Sequence, residues 1–348
     1  LPVLFSGCQE LGLNKEPEAP APTVAETPAV QAPAEPAVDF SSMPVIGADG
    51  KAVGGPALSP EQFVAQFATR DSAQLTDADL RQLADATPFN AGITELNLRG
   101  ARMTQDGLSQ LARMPNVKKV DLTGCGVAGA GWAGLSTATQ LEDLILESTQ
   151  LEDATMAALA PLTNLKRLNL SRTAVTDNGF QHLTGMTKLE SINCMNTQIT
   201  GGGFEAFTAK YAKSPLKEIY VTNSNFAMYG FNHIQGLDSL EVLAAGAAGV
   251  TENVLIALKG CRNMKVLHLG RSAISDKALV PVIHGMDDLV ELDISDSNLI
   301  SDYTLEKLRG HKALRKLVVN STACTERGVM ELKKSLPECS IVYNNRQY

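Results

Sequence analysis

LKRLNLSRTAVTDNGFQHLTGMTK, residues 165 to 188, changes its hydrophobic period half-way along. Leu165, Leu168 and Leu170 give a short strand whose alternate side chains face inward. Val175, Phe180, Leu183 and Met186 then follow at helical spacing, which predicts a short helix packed over that strand. One such unit cannot bury both of its apolar faces. The pattern L-x-x-L-x-L, however, starts again at Ile93, Val117, Leu141, Leu165, Leu189, Leu216, Leu240, Met264, Leu289 and Leu314, at spacings of 24, 24, 24, 24, 27, 24, 24, 25 and 25. Stacking these units produces one continuous core.

The pattern resembles the leucine-rich repeat family over about residues 75 to 343. The resemblance implies an α/β fold, a right-handed solenoid or horseshoe of about ten repeats, with a parallel sheet on its concave face and helices on its convex face. Where many members stack Asn at the ninth repeat position, this chain has Ala101, Cys125, Thr149, Thr173, Thr197, Ser224, Ala248, Ser272, Ser297 and Thr322. With T-D-x-G-L at the helix start, it is most similar to the cysteine-containing and bacterial T-D-x-G-L variants. The hydroxyls can satisfy backbone groups in the turn, which Ala101 and Ala248 cannot.

Working outward, LTDADLRQL at residues 75 to 83 repeats the helical half alone, so residues 59 to 92 are expected to form an N-terminal helical cap. Ser59-Pro60-Glu61 is a helix start, and Phe63, Val64 and Phe67 give that helix an apolar side. The repeats run from 93 to 338. LPECSIVY, residues 336 to 343, supplies a last strand without a helix, and 339 to 348 form the C-terminal cap.

The front of the chain differs in composition. Leu4, Phe5, Ser6, Gly7 and Cys8 resemble the lipobox of bacterial lipoproteins, although Phe5 stands where Leu is usual; residues 1 to 8 are then the end of a signal. The resemblance implies diacylglycerol on the Cys8 thiol, and Gln9 after it points to the outer membrane. Residues 9 to 58 continue as a Pro-, Ala- and Glu-rich tether (16 to 38) and a Gly- and Pro-rich transition with a turn at Asp49-Gly50. In extended polyproline form, at about 3.1 Å per residue, the tether spans up to roughly 70 Å.

A net charge of −8 and a pI near 5.3 disfavour a general polyanion binder, since Lys and Arg supply most nucleic-acid affinity. Cys8, Cys125, Cys194, Cys261, Cys324 and Cys339 contain no C-x-x-C pair, and no apolar run of about 20 residues can span a membrane. No cofactor or metal is expected. Thr176, Asp177, Asn178 and Gly179 make a polar loop, but the further acidic ligands of a calcium loop are missing. Equivalent Thr or Ser then Asp or Glu pairs open other helices, so the hydroxyl is expected to cap free amides and the carboxylate to meet the helix dipole. Gly201-Gly202-Gly203 lacks the Gly-Lys-Ser/Thr ending of a phosphate loop.

At repeat position two, Lys118, Glu142, Lys166, Glu190, Lys217, Glu241 and Lys265 alternate in sign, which predicts side-by-side pairs on neighbouring strands. Positions three, five, seven and eight face the concave side. There, six cations (Arg99, Lys119, Arg167, Arg172, Arg271, Lys316) meet eight anions (Glu95, Asp121, Asp143, Glu147, Glu218, Glu291, Asp293, Asp296). Met195, Tyr220, Val242, Ala244, Val266 and His268 form a less charged zone, with room left by Gly246 and Gly270. Asp293, one repeat on, is placed to pair with His268, and no nucleophile completes a triad. Asn169, Ser171 and Arg172 continue the same face. The sequence thus predicts a non-enzymatic scaffold, lipid-anchored at Cys8 in a bacterial cell envelope, holding a protein or peptide on Met195, Tyr220, Val242, Val266, His268, Asp293, Arg172 and Arg271. It binds no nucleic acid and touches the membrane only through its anchor. The alternative is an intracellular adaptor or effector in which Cys8 is incidental.

Overall fold

Two compact units, residues 1–57 and 58–348, divide the chain in a computed structural model that describes residues 45–46, 52–53, 58–205, 215–235 and 237–348. In the first unit the described part is an antiparallel pair, β1 (Val45–Ile46) with β2 (Ala52–Val53). Cys8, the residues before it, the tether at 16 to 38 and the Asp49-Gly50 turn lie outside the described residues.

The second unit opens with a helix at Pro60–Phe67, started by a reciprocal cap: Ser59 Oγ accepts from the Gln62 amide (3.2 Å) and Gln62 Oε1 accepts from the Ser59 amide (2.9 Å). Phe63 and Phe67 are buried on its inner side. A second helix, Asp77–Asp85, leads into the sheet and buries Leu80 and Leu83.

The sheet has twelve strands in sequence order. They are β3 (Glu95–Asn97), β4 (Lys119–Asp121), β5 (Asp143–Ile145), β6 (Arg167–Asn169), β7 (Ser191–Asn193), β8 (Glu218–Tyr220), β9 (Val242–Ala244), β10 (Val266–His268), β11 (Glu291–Asp293), β12 (Lys316–Val318), β13 (Ser340–Tyr343) and β14 (Arg346–Gln347). β3 to β13 run parallel with no stagger, so that Leu168 lies between Leu144 and Ile192. Position four of every unit is therefore one buried row, from Leu96 through Leu317 to Ile341. Position six is another, from Leu98 to Val319. Each fully buried aliphatic side chain contributes about 1.5–3 kcal/mol, and no unit could keep its row dry alone. The last strand is not bare: Asn344 and Asn345 both take left-handed backbone (φ 49° and 58°), and this hairpin turn folds β14 antiparallel onto β13.

The helical halves bury Val175, Phe180, Leu183 and Met186 as the spacing predicts. Several, however, are 3-10 rather than α-helical: Gly129–Thr137, Asp153–Leu159 and Asp177–Leu183. The 25-residue units at the C-terminal end have α-helices at Asp276–Ile283 and Asp302–Leu308. A 3-10 helix rises about 2.0 Å per residue against 1.5 Å, so it crosses the same thickness with fewer residues; one extra residue permits the wider coil.

Thr176, Ser301 and Thr325 cap their helices as expected, whereas Thr251 and Ser275 make no side-chain cap bond, and several of these corners have a second role. Thr176 Oγ1 accepts from the Asn178 amide (3.3 Å), as expected of a cap. The following carboxylate, expected to answer the helix dipole, instead reaches the next unit: Asp177 accepts from the amide (2.9 Å) and hydroxyl (2.5 Å) of Thr200 and from the amides of Gly201 and Gly203 (3.0 Å each). Asp153 does the same for Thr176, Asp276 for Ser301, and Asp302 for Thr325. This explains the glycine of the motif. A Cβ on Gly179 would sit 2.7 Å from Asp153 Oδ1, and one on Gly107 or Gly328 would strike Asp77 or Asp302. The ladder is interrupted where Ala128, Glu152 and Ala227 replace the hydroxyl; Trp132 and the Phe204, Phe226 and Phe231 cluster are buried beside these gaps.

Candidate functional site

The helical side repeats one corner motif along much of the chain, whereas the side chains on the open face of the sheet change from unit to unit. Its geometry begins at position eight. All ten residues there, including Gly100, Arg172, Ala247 and Arg271, have positive φ between 52° and 68°. From Gly100 to Asp296 the amide of each still enters the ladder, as Arg172 does to the Met195 carbonyl (2.9 Å), and the left-handed bend then turns the chain off the face. Arg172 and Arg271 project from this rim with side chains 64% and 72% exposed.

At position five, Asp121, Asn169, Asn193 and Asp293 turn their side-chain oxygens back to the amide two residues on, at 2.9–3.0 Å. These bonds finish the strand ends through one side-chain oxygen, and the carboxylates keep the second for another partner, as Asp121 Oδ2 does for Arg99. The sequence pairing of His268 with Asp293 is accordingly overturned. The two are register partners, but Asp293 Oδ1 is taken by the amide and hydroxyl of Ser295 (2.9 and 2.6 Å). His268 Nε2 instead lies 2.9 Å from Glu291 Oε1, which also accepts from Lys316 Nζ at 2.5 Å. Burial works against ionising Glu291, but the bonds from Lys316 and His268 prevail and hold its carboxyl below the usual range.

The alternating row at position two resolves into separate pairs: Glu142 with Lys166 (2.6 Å), Glu190 with Lys217 (3.0 Å) and Glu241 with Lys265 (2.7 Å). Lys118 bonds the Gln140 carbonyl instead (3.4 Å). A bond from Lys166 lowers the pKa of Glu142, and a bond to Glu190 raises that of Lys217.

Pairing is equally thorough on the open face. Arg99 meets Asp121 (3.1 Å), Lys119 meets Glu95 (3.0 Å), Arg167 meets Asp143 (2.9 Å), Arg172 meets Glu147 (3.8 Å), Arg271 meets Asp296 (3.4 Å), and Lys316 meets Glu291. Between these networks the face loses its charge. Val242 and Ala244 on β9, with Gly246 beyond, adjoin Val266 and His268 on β10, with Gly270 beyond. Tyr220 on β8 is register partner of Ala244, and its ring stands beside a residue with almost no side chain. The Tyr220 hydroxyl lies 3.3 Å from Glu218 Oε2; burial, then the neighbouring carboxylate, pushes the phenol's pKa up, so it stays protonated and donates. A Cβ on Gly270 would come within 2.9 Å of Ser295 Oγ and displace that hydroxyl, whereas one on Gly246 would meet ordinary contacts from 3.4 Å outward.

A family model described as Leucine Rich repeat matches residues 162–183. A Listeria monocytogenes internalin (inlF) superposes with a TM-score of 0.52 at 16% identity, over 81% of this chain and 93% of that one. The fold is a leucine-rich repeat solenoid. A leucine-rich repeat protein of Leptospira interrogans is also similar, at 14% identity and a TM-score of 0.46, over 75% of this chain and 80% of that one. No curated protein matches the sequence significantly.

The leucine-rich repeat sheet brings Met195, Tyr220, Val242, Val266, His268 and Asp293 onto one stretch of face, β7 to β11, with Arg271 at its rim; Arg172 sits further toward the N-terminal end and is paired there. Sequence reasoning missed Glu218 and Lys316 as neighbours of Tyr220 and of His268 through Glu291; the diagonal reach of a long side chain was the signal. His182, His233 and His284 fall on the helical side, and His311 is buried with Nε2 3.0 Å from the Ile283 carbonyl. Among the described residues, no group of three or more His, Cys, Asp or Glu is arranged to hold a metal, and no helix is long and apolar enough to cross a membrane. Among the described residues the thiols of Cys125, Cys194, Cys324 and Cys339 are buried and free; burial pushes Cys125 and Cys324 up to about 11 and Cys194 and Cys339 upward too, so none of these four is primed as a nucleophile.

Proposed function

We propose that this chain is a non-enzymatic interaction scaffold that holds a protein or peptide partner on the open face of its sheet, across β8 to β10. The uncharged strip between two regions whose cations are all ion-paired carries this reading. Binding there desolvates apolar surface and an aromatic anchor without breaking an existing salt bridge. In this reading Cys8 is lipidated and residues 9 to 58 tether the solenoid to a bacterial envelope membrane.

The test places photo-crosslinking residues in the full-length chain at Thr222 and Ser295 on the open face, or at Gln181 and Glu306 on the helical side. Specific protein adducts are expected from the open face. They should disappear with Tyr220→Ala plus His268→Ala while thermal stability is retained; adducts from the helical side alone would overturn the reading. Intact mass tests the anchor separately: a diacylglyceryl adduct lost with Cys8→Ser supports it, and an unmodified chain refutes it.

A further inference from the structure

The open face carries six cations and eight anions, and the structure accounts for the difference. Each cation has its own carboxylate within 4.0 Å: Asp121, Glu95, Asp143, Glu147, Asp296 and Glu291 are all engaged. Of the eight open-face anions, the two that enter no ion pair among the described residues are Glu218 and Asp293. Both lie at the borders of the uncharged strip, on β8 and β11, with β9 and β10 between them. Glu218 has only the Tyr220 hydroxyl as a partner, and Asp293 only Ser295.

A strip of Val242, Ala244, Gly246 and Val266 accepts methylene groups, and a carboxylate beside a Tyr ring accepts a cation both as an ion pair and over the ring face. From these juxtaposed features we infer that the partner presents a basic peptide segment, lying across the strands, whose small or aliphatic residues cover the strip and whose cationic side chains reach Glu218 at one border and Asp293 at the other. This rests on the scaffold reading above and names its partner's chemistry. Three strand spacings separate the two borders, about 14 Å. An extended peptide covers that distance in about four residues, so the segment has two basic residues about four positions apart. An acidic or neutral segment would leave both carboxylates desolvated without compensation.

The experiment titrates the full chain, by fluorescence anisotropy at low salt, with a labelled peptide of small apolar residues carrying two lysines at this spacing, and with the same peptide carrying glutamates. The lysine peptide is expected to bind and the glutamate peptide not to. Glu218→Gln and Asp293→Asn should each weaken binding about fivefold, Gly246→Leu should obstruct it, and Glu331→Gln on the helical side should leave it unchanged. Thermal melts confirm that the variants remain folded. Equal binding of the glutamate peptide, no binding of the lysine peptide, unchanged affinity in Glu218→Gln and Asp293→Asn, or an equal loss in Glu331→Gln would each overturn the inference. If open-face crosslinks persist in any of those cases, the scaffold reading stands and only the partner's charge is wrong; if they too are absent, the scaffold reading has failed.

Discussion

Asp177 shows how a residue that resembles chemistry can be a fastener. It accepts four bonds from the following unit, and replacing it leaves the Gly201 and Gly203 amides and the Thr200 amide and hydroxyl without that acceptor. Asp177→Ala is expected to cost about 2–3 kcal/mol by urea denaturation. Gly179→Ala should cost about 1–3 kcal/mol, because the added methyl overlaps the carboxylate of Asp153. Ala247→Gly should act in the opposite sense by up to about 1 kcal/mol, relieving a left-handed alanine at φ 52°. The cross-unit role was not legible in the sequence, since Thr200 stands 23 residues from Asp177 and only the stacking register makes them neighbours. The candidate face was legible in part: counting by 24 puts Tyr220, Ala244 and His268 in one row. Which carboxylate His268 meets was not, because that depends on Ser295 having already claimed Asp293. Thiol chemistry belongs at this scale as well. With the thiolates of Cys125, Cys194, Cys324 and Cys339 disfavoured by burial, these four and the buried Cys261 should stay silent to an aromatic disulfide reagent at pH 8 in a Cys8→Ser chain until it is unfolded; fast labelling of the native solenoid would contradict the burial.

Among the elements, the strand half of each unit could be read from the leucines alone, because burial on one side of a strand leaves a period of two. The helix type could not. Both coils bury apolar residues on the same side, and length accounts for only part of the choice, since the 24-residue units at 93 and 240 also begin with α-helix at Gln105–Ser109 and Glu252–Leu255. The closing hairpin is the other element that pattern reading simplified to a lone strand. Residues 344 to 348 return along β13, and Tyr348 packs its ring against Tyr343 at 6.3 Å. Removing 344 to 348 bares the hydrogen-bonding edge of β13, an open template for another chain. Size-exclusion chromatography with light scattering should then show self-association, and a monomer as stable as the parent would show that the hairpin is dispensable.

For the whole molecule, acid stability follows from the pairing on its face. The folded pKa of Glu291 is depressed, so its contribution is fully present above the unfolded value of about 4.3 and is lost as pH falls through the folded value. Glu291→Gln should remove about 0.5 kcal/mol near neutral pH and flatten the fall in melting temperature between about pH 5 and 3. The interruptions at Ala128 and Ala227 matter at the same scale. A stack whose units are coupled to their neighbours loses order first where the coupling is weakest. The carboxylate-to-hydroxyl bonds join consecutive units from Asp77 to Thr104, from Asp153 to Thr200 and again from Glu252 to Thr325, with an aromatic filling where they lapse. Dispersion contacts resist separation with less directional precision than paired hydrogen bonds. Pulled from its ends, or warmed while amide exchange is followed, the molecule should come apart in blocks rather than one repeat at a time, parting at two seams, and the strip on β8 to β10 straddles the second of them.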